Sequence, residues 1–348
     1  MAKVVMNHGA GGEAMQEFLS KHIICHFPKV KSEVSLDSMD DSAVVDGIVF
    51  TIDGHTVKPL IFPGGDLGKI SVAGTVNDIS VMGAEPLALG CSTIIEEGLD
   101  TDIVDLIMSS AGRTCVECGV PIETGDTKVV EAGAVDKMFM ATSAIGRRSK
   151  YLDSNFNKAK EYRTVTHNWC TDSNVAPGDA IIASGYMGDH GIALMSFREG
   201  YGFESDIKSD VAPLNKMIEK ALKVGGITSM KDSTRGGLAN TLNELTSKSH
   251  VGMDIEYTSI PLRDGVINAC DLLGLDPLSI GNEGKCVIAC VPDMADEILK
   301  VIRSTPEGKN ASLIGYANDG RERVILKTEV GGKRILEPPI GDPVPRIC

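Results

Sequence analysis

The residues most suited to chemistry in this sequence are a cysteine, a set of aspartates and two glycine-rich loops. Cys348 ends a stretch, Glu337 to Cys348, that holds four prolines in twelve residues. Such a run cannot be helical and cannot join a central strand, because proline lacks an N–H and fixes φ. It predicts an extended arm of about 3 Å per residue, with a reach of roughly 35 Å. At its end is a side chain whose thiolate can carry an acyl-type group. A frayed terminus that happens to finish in Cys is the plainer alternative. Stiffness, length and a nucleophilic end together point to an arm that presents its sulfur elsewhere.

The aspartates come next. Asp37, Asp40 and Asp41 lie together, Asp53 and His55 flank a glycine, and Asp66, Asn77-Asp78 and Gly125-Asp126-Thr127-Lys128 follow. Hard oxygen ligands beside apolar runs suit Mg²⁺, which takes one or two carboxylates plus substrate phosphates. Each aspartate taken singly also fits a turn. Their repeated placement at the ends of apolar runs favours metal and phosphate. Gly9-x-Gly11-x-x-Ala14 matches a relaxed dinucleotide fingerprint, with Glu33 about 20 residues on. The strand before it is too short, however, and no regular βαβ run follows. No P-loop exists: Gly68-Lys69 and Gly284-Lys285 lack the rest of the motif. Thr234-Arg235-Gly236-Gly237, after Asp232, opens a predicted helix, whose free N–H groups suit an anion or simply start the helix. Cys115-x-x-Cys118 has no second pair at zinc spacing and reads as two packing or surface thiols. Cys286 and Cys290 share one strand face and read as packing residues. His22 falls on an apolar helix face and reads as structural.

These residues need elements to hold them. After a short apolar run at Val4 to Met6, residues Met15, Phe18, Leu19, His22 and Ile23 mark one helix face. Val44 to Ile52 reads as paired strands around Asp46-Gly47. A helix over Gly68 to Met82, a strand over Leu87 to Ile95 and a helix capped by Asp100 follow. Strands are predicted near Val120 to Glu123 and over Met138 to Ile145. Residues 147–176 are polar and weakly periodic and read as a linker, with Trp169 and His167 given no role. Beyond Pro177-Gly178-Asp179 the pattern alternates again. Strands are predicted at Ala180 to Ser184, Gly252 to Tyr257, Lys285 to Val291, Ala311 to Tyr316 and Arg323 to Thr328. Helices are predicted near Ile192 to Phe197, Leu214 to Leu222, Gly236 to Ser247, Val266 to Leu273 and Met294 to Ser304. This is an α/β (α+β) chain of two domains, 1–150 and 151–334, followed by a flexible Pro-rich tail, 335–348.

Composition narrows the function. The chain has 348 residues, a net charge of -14 and 4% aromatics. An acidic chain repels phosphate backbones, which argues against nucleic acid and anionic membranes as partners. A bound polyphosphate would need divalent cations. No signal peptide or membrane-length apolar stretch is evident. Nine cysteines, an odd count, read as free thiols in a reducing compartment, hence a cytoplasmic protein.

The motifs resemble one family closely. HGAGG at His8–Gly12, MDDSAVV at Met39–Val45, TIDGHTVKPLIFPGGDLGK at Thr51–Lys69 and GTVNDISVMGAEP at Gly74–Pro86 match it. So do ETGDTKVV at Glu123–Val130, KDSTRGGLA at Lys231–Ala239, GNEGK at Gly281–Lys285 and the ending Pro345-Arg346-Ile347-Cys348. The chain resembles the carbamoyl dehydratases of nickel–iron hydrogenase maturation, the HypE family, within the PurM-like superfamily of aminoimidazole ribonucleotide synthetase. The Pro-Arg-Ile-Cys ending separates that family from its relatives.

The resemblance implies a PurM-like fold, a homodimer formed through the first domain, and ATP with Mg²⁺ held between the domains. It implies that Cys348 is carbamoylated by a carbamoyltransferase of the HypF family. The cyano group would then pass to iron on a scaffold–chaperone complex of the HypC and HypD families. Phosphoryl transfer from ATP to the carbamoyl oxygen makes phosphate the leaving group, and loss of both N–H protons gives S–C≡N. Such a reaction needs cations around the phosphates and a base near the nitrogen. By the same resemblance, Asp41, Asp53, Asp78 and Asp126 are expected at magnesium, Glu283 as base and Lys128 as electrostatic stabiliser. His8, Gly9, Gly11, Gly12, Asp53, His55, Asn77, Asp78, Thr127, Asp232 and Arg235 are expected around the nucleotide. The alternatives are a sister enzyme such as selenophosphate synthetase, whose N-terminal loop normally carries a Cys absent here, and a scaffold that docks partners without catalysis.

Overall fold

The structure, a computed structural model, describes residues 3–29, 31–198, 206–341 and 343–348. The first half runs α1 (Gly12–His22), β1 (Ala43–Val45), β2 (Ile48–His55), β3 (Ile61–Phe62), β4 (Gly65–Asp66), α2 (Leu67–Val81), β5 (Ala84–Glu96), α3 (Thr101–Cys118), β6 (Ile122–Val130) and β7 (Met138–Arg148). The second half runs α4 (Leu152–Lys160), β8 (Ala180–Ala183), α5 (Asp189–Phe197), α6 (Asn215–Val224), β9 (Ile227–Asp232), α7 (Gly237–Ser249), β10 (Gly252–Glu256), α8 (Asp264–Leu273), β11 (Cys286–Cys290), α9 (Ala295–Arg303), β12 (Ser312–Asn318), β13 (Val324–Lys327) and β14 (Lys333–Ile335). Among the described residues no helix is long and apolar enough to cross a membrane.

The first sheet has five strands in the order β1-β2-β7-β5-β6. Alternation decides its faces. Leu89, Cys91 and Thr93 of β5 and Met138, Met140 and Ala144 of β7 are buried, on the side where α2 and α3 pack. The side chains between them leave the other face open, and Ile48, Phe50, Ile52 and Ile145 are exposed on it. Helix α2 starts where the Asp66 carboxylate accepts from the Lys69 N–H at 3.0 Å, an N-cap. Gly68 lets it lie against α3, since a Cβ there would sit 2.0 Å from the Ile107 carbonyl oxygen.

The second sheet has seven strands in the order β14-β13-β10-β12-β8-β11-β9. Strands β8, β9 and β11 are buried along their whole length, because both faces are covered. Ile181 and Val287 pack with Leu238, Leu242 and Leu245 of α7. Ile182 and Ile288, one residue on, pack with Met217 and Ile218 of α6 and Ile298 of α9. That same cluster takes in Val72, Val76 and Ile79 of α2, so one core joins the two halves.

Several sequence expectations change here. The Val4 to Met6 run forms no strand, and Met6–Gly9 is a 3-10 turn. The expected linker holds α4, whose Leu152 and Phe156 are buried, and Trp169 is buried with its Nε1–H on Glu33 at 3.0 Å. Polar spacing hid a short helix there. Strand β9 is absent from the sequence expectation because Ser229 and Lys231 break its apolar run. Strand β6 extends to Val130, through Gly125 to Lys128, as an edge strand parallel to β5. His22 is exposed and packs its ring on Phe18 at 5.3 Å. Cys286 and Cys290 are buried packing residues, as expected.

Beyond β14 the tail has neither helix nor strand, as its prolines require; Asp342 lies outside the described residues. The tail expected as a flexible arm is docked. Val344, Ile347 and Cys348 join a core cluster with Leu60, Phe62, Ile192 and Ile280.

Candidate active site

A cavity of about 530 Å³ opens between the halves, and Cys348, 9% exposed, forms part of its wall. Its lining includes Asp41, Asp53, Asp78, Asp232, Arg235 and Glu283. Met15, Leu19, Ile23 and Phe27, from α1 and the turn after it, give it one apolar side.

The tail is held backbone to backbone. The Thr56 N–H donates to the Cys348 carbonyl at 2.8 Å and the Lys58 N–H to the Arg346 carbonyl at 3.2 Å. The Thr56 hydroxyl adds a bond to Cys348 O at 3.2 Å, and a guanidinium N–H of Arg198 donates to Arg346 O at 2.8 Å. His190 Nε2 lies 2.8 Å from Ile347 O. Arg346 sits in the left-handed region, φ +56°, which turns its Nε–H onto Thr56 O at 2.8 Å and its Nη1 onto Asp136. Hydrogen bonds from Lys58 and Arg346 push the Asp136 carboxyl down to about 2.

The floor of the cavity is crowded with carboxyls. Asp53 ends up beside Gly74 of α2, where a Cβ would lie 3.6 Å from Asp53 Oδ2 and 3.8 Å from Glu283 Oε2. Asp78 accepts the Thr51 hydroxyl at 2.9 Å. Burial, then repulsion from Asp232, Asp53 and Asp41, pushes Asp78 well above the usual carboxylate range. Burial and Asp41 do the same to Asp232. Glu283 is raised well above its ordinary value by burial and by Asp53, Asp232 and Asp210, and its Oε1 is buried without a hydrogen-bond partner among the described residues. One edge of the floor is neutralised. Lys231 Nζ contacts Asp41 at 2.8 Å, Asp172 at 3.2 Å and Glu244 at 3.2 Å. Burial would lower this ammonium, but those carboxylates hold it well above the usual lysine range. Asp41 itself is raised to about 6, because burial outweighs the pull of Lys231.

Two glycines shape the lip. Gly11 and Gly12 have φ of +81° and +70°, and a Cβ on Gly11 would meet Arg235 O at 3.3 Å, on Gly12 Pro339 O at 3.1 Å. The loop is thus pinched between the start of α7 and the tail.

The residues expected at the site divide into two groups. Gly11, Gly12, Asp41, Asp53, Asp78, Asp232, Arg235, Glu283 and Cys348 meet around the cavity. The others do not line it within this chain. His8 stacks on Phe18 at 4.7 Å, and a Cβ on Gly9 would meet nothing within 4 Å among the described residues. Asn77 spends its amide on the backbone, accepting from Leu214 N at 2.7 Å and donating to Ala212 O at 3.1 Å. His55 stands behind Asp53, its Nε2 3.5 Å from that carboxylate and 3.1 Å from Thr142 Oγ1, and burial lowers its pKa. Asp126, Thr127 and Lys128 lie on exposed β6, where Lys128 Nζ pairs with Asp126 at 2.7 Å. Among the described residues no three His, Cys, Asp or Glu side chains are gathered to hold a metal ion.

Sequence reasoning missed Lys231, Glu244 and Asn240 in the lining, and His190, Arg198, Thr56 and Asp136 at the tail. Lys231 lay inside a motif already singled out. The tail contacts come from three separate segments, and of them only Thr56 lay inside a motif already singled out.

Two α/β halves with a ligand-sized acidic cleft between them define a class. Residues 39–148 match the AIR synthase related protein N-terminal domain, and residues 176–327 its C-terminal domain. The chain is 47% identical to a putative hydrogenase expression/formation protein of Methanocaldococcus jannaschii, over 99% of this chain and 100% of that one. It is 42% identical to the carbamoyl dehydratase HypE of Rhizobium leguminosarum bv. viciae, over 99% of this chain and 95% of the relative. Among solved structures, a HypE–HypF complex superposes with a TM-score of 0.83 at 39% identity, over 94% of this chain and 100% of that one. A HypE in complex with ATP superposes with a TM-score of 0.79 at 39% identity, over 99% and 100%. The chain therefore belongs to the HypE family of carbamoyl dehydratases.

Proposed function

We propose that this chain dehydrates an S-carbamoyl group on its own Cys348 to S-cyanocysteine in an ATP-dependent reaction that serves hydrogenase maturation. One observation carries the reading: Cys348 is seated in the wall of the same cavity whose floor holds Glu283, Asp53, Asp78 and Asp232. The name carbamoyl dehydratase among the relatives and the ATP complex of a similar chain support it.

Glu283 is the base for the carbamoyl N–H protons. Burial raises the proton affinity of its carboxyl; once the positive charge that accompanies the nucleotide restores its ionised form, a carboxylate of raised affinity takes a proton from an activated amide more readily. Gly74 leaves space directly beside it. ATP, when bound, supplies the phosphoryl group that turns the carbamoyl oxygen into a leaving group. The floor fits Mg²⁺: its donors are hard oxygens, they repel one another, and Glu283 Oε1 lacks a partner. Among the described residues no three of these carboxylates are gathered as a ready-made cage, so Asp53 and Asp78, with Asp41 at the edge beside Lys231, would hold the metal together with the nucleotide phosphates. The pinched Gly11–Gly12 loop would close over the nucleotide, with Arg235 at the phosphates.

The open face of the first sheet supports a homodimer. Ile48, Phe50, Ile52 and Ile145 stand exposed on it, an apolar surface that a second copy would cover. Asp126 and Lys128 share that face, since Ser92↔Asp126 and Ile94↔Lys128 pair across the sheet. In a dimer they can complete the partner copy's cavity. The carbamoyl donor is a HypF-family enzyme, as the HypE–HypF complex of a relative suggests. The cyano acceptor is iron on a HypC–HypD-family complex, in the cytoplasm.

The test is the mass of the C-terminal peptide from carbamoylated protein before and after ATP is added. Loss of one water is expected. Unchanged mass, with the carbamoyl group in place and ATP bound, would reject the reading.

A further inference from the structure

We propose that His190, oriented by Ser209, is a positioning residue that fixes where the tail sulfur comes to rest. The inference rests on Cys348 being the reacting residue. His190 is the second residue of α5 and is fully buried. Its Nε2 lies 2.8 Å from the Ile347 carbonyl oxygen. A carbonyl only accepts, so Nε2 carries the proton. Nδ1 lies 2.6 Å from Ser209 Oγ and therefore accepts the serine hydroxyl proton. Ser209 Oγ in turn accepts the Val211 N–H at 3.1 Å, and the Ser209 N–H donates to Pro63 O at 2.8 Å. Phe62 meets the imidazole edge-on at 5.3 Å. Both ring nitrogens are thus engaged and fix one tautomer, and burial keeps the ring neutral by lowering its pKa to about 4.

The bond matters because of where it falls. The Cys348 carbonyl is caught by Thr56 from the first half of the chain, and the Ile347 carbonyl by His190 from the second. Consecutive carbonyls held from opposite walls leave the cysteine backbone little freedom to rotate. Asp210, next to Ser209, accepts the Glu283 N–H at 3.1 Å. One loop thus anchors both the tail seat and the backbone of the base, and it sets the span between them.

The experiment uses the full chain without ATP or carbamoyl group, so it reads seating apart from chemistry. The rate of iodoacetamide alkylation at Cys348 is measured by peptide mass, with exposed Cys25 as internal reference. His190→Phe keeps the ring packing and removes the donor. His190→Gln offers an amide N–H where Nε2 was. We expect His190→Phe to speed alkylation of Cys348 about fivefold to tenfold and His190→Gln to restore most of the protection, on the scale of one buried hydrogen bond. Equal rates in wild type and His190→Phe, or equal loss in both variants, would overturn the proposal. Should His190→Phe fail to fold, the ¹⁵N shifts of the wild-type imidazole decide. A neutral Nε2–H ring at pH 7 supports the assignment, and an Nδ1–H ring or an imidazolium refutes it. If the wild type shows this seating but no water is lost with ATP, the proposed reaction fails while the positioning pair stands.

Discussion

The two sides of the cavity are built on opposite principles. On the tail side the Asp136 carboxylate has its complement. Asp136 receives Lys58 at 2.8 Å and also Arg346, and the carbonyls of residues 346 to 348 all have donors. On the floor, like charges face one another. Asp78, Asp232 and Glu283 are all raised well above the usual carboxylate range, and a buried Glu283 oxygen has nothing to bond. A buried carboxylate without a partner is costly enough that it protonates instead of ionising. The difference teaches where the molecule is complete. The carbonyls of the seat are satisfied by the chain itself, whereas the floor leaves like charges facing one another, a repulsion that a guest bringing positive charge would relieve.

Four outcomes would sharpen or break that contrast. The largest concerns Glu283. Exchange for Gln should slow single-turnover dehydration by about 10²–10⁴-fold while ATP binding holds, the span typical of a lost general base. Turnover at the wild-type rate would strip the floor of its catalytic meaning. Next is the metal. With Mg²⁺, ATP at about 100 times its Kd should stabilise the chain by about 2.7 kcal/mol in thermal unfolding. A chelator should abolish that gain, and stabilisation by ATP alone would show that the floor needs no cation.

The third outcome is a pH dependence. A carboxyl whose folded pKa is raised binds its proton more tightly when folded, so its contribution is full below the unfolded value and is lost as pH rises through the folded one. Asp41 sets a window from about 4 to about 6, and Asp78 is raised in the same direction. Asp78→Asn should therefore gain melting temperature on the wild type as pH climbs through that range, and Mg²⁺ with ATP should reverse the order. Parallel curves would mean that the floor is not strained. The smallest effect is at the seat. Arg346→Ala removes bonds to Thr56 and Asp136 at a half-buried site and should slow dehydration about twofold to fivefold. A loss as large as that of Glu283→Gln would place Arg346 in the chemistry.

Much of the site could be anticipated from the sequence because its motifs are local. The Asp41, Asp53, Asp78, Asp232 and Glu283 side chains each sit in a short motif visible in the sequence, and they do converge on one cavity. What could not be read is what depends on distant pairing. His190 and Ile347 are 157 positions apart, and Lys231 and Asp41 are 190 apart. Asn77 looked like a ligand from its place beside Asp78, but adjacent helix residues point about 100° apart. One therefore faces the floor and the other the loop at Ala212. For Lys128 the limit is different, because its strand is exposed and its ammonium pairs with Asp126 at 2.7 Å, away from the cavity. In the fold, periodicity served well for α3, and small residues that pack closely marked α2, which is buried almost all round. It failed for α4 and β9, which are short and carry polar residues that tertiary packing buries.

The prolines of the tail have a thermodynamic consequence. Val344 and Ile347 enter the core only by giving up the conformational freedom of the segment that carries them. Pro343 and Pro345 flank Val344 and have already surrendered much of that freedom while the segment is undocked. Its entropy loss on binding is correspondingly small. Anchorage this shallow can still order the segment, and it can be reversed by a modest change elsewhere without disturbing either sheet.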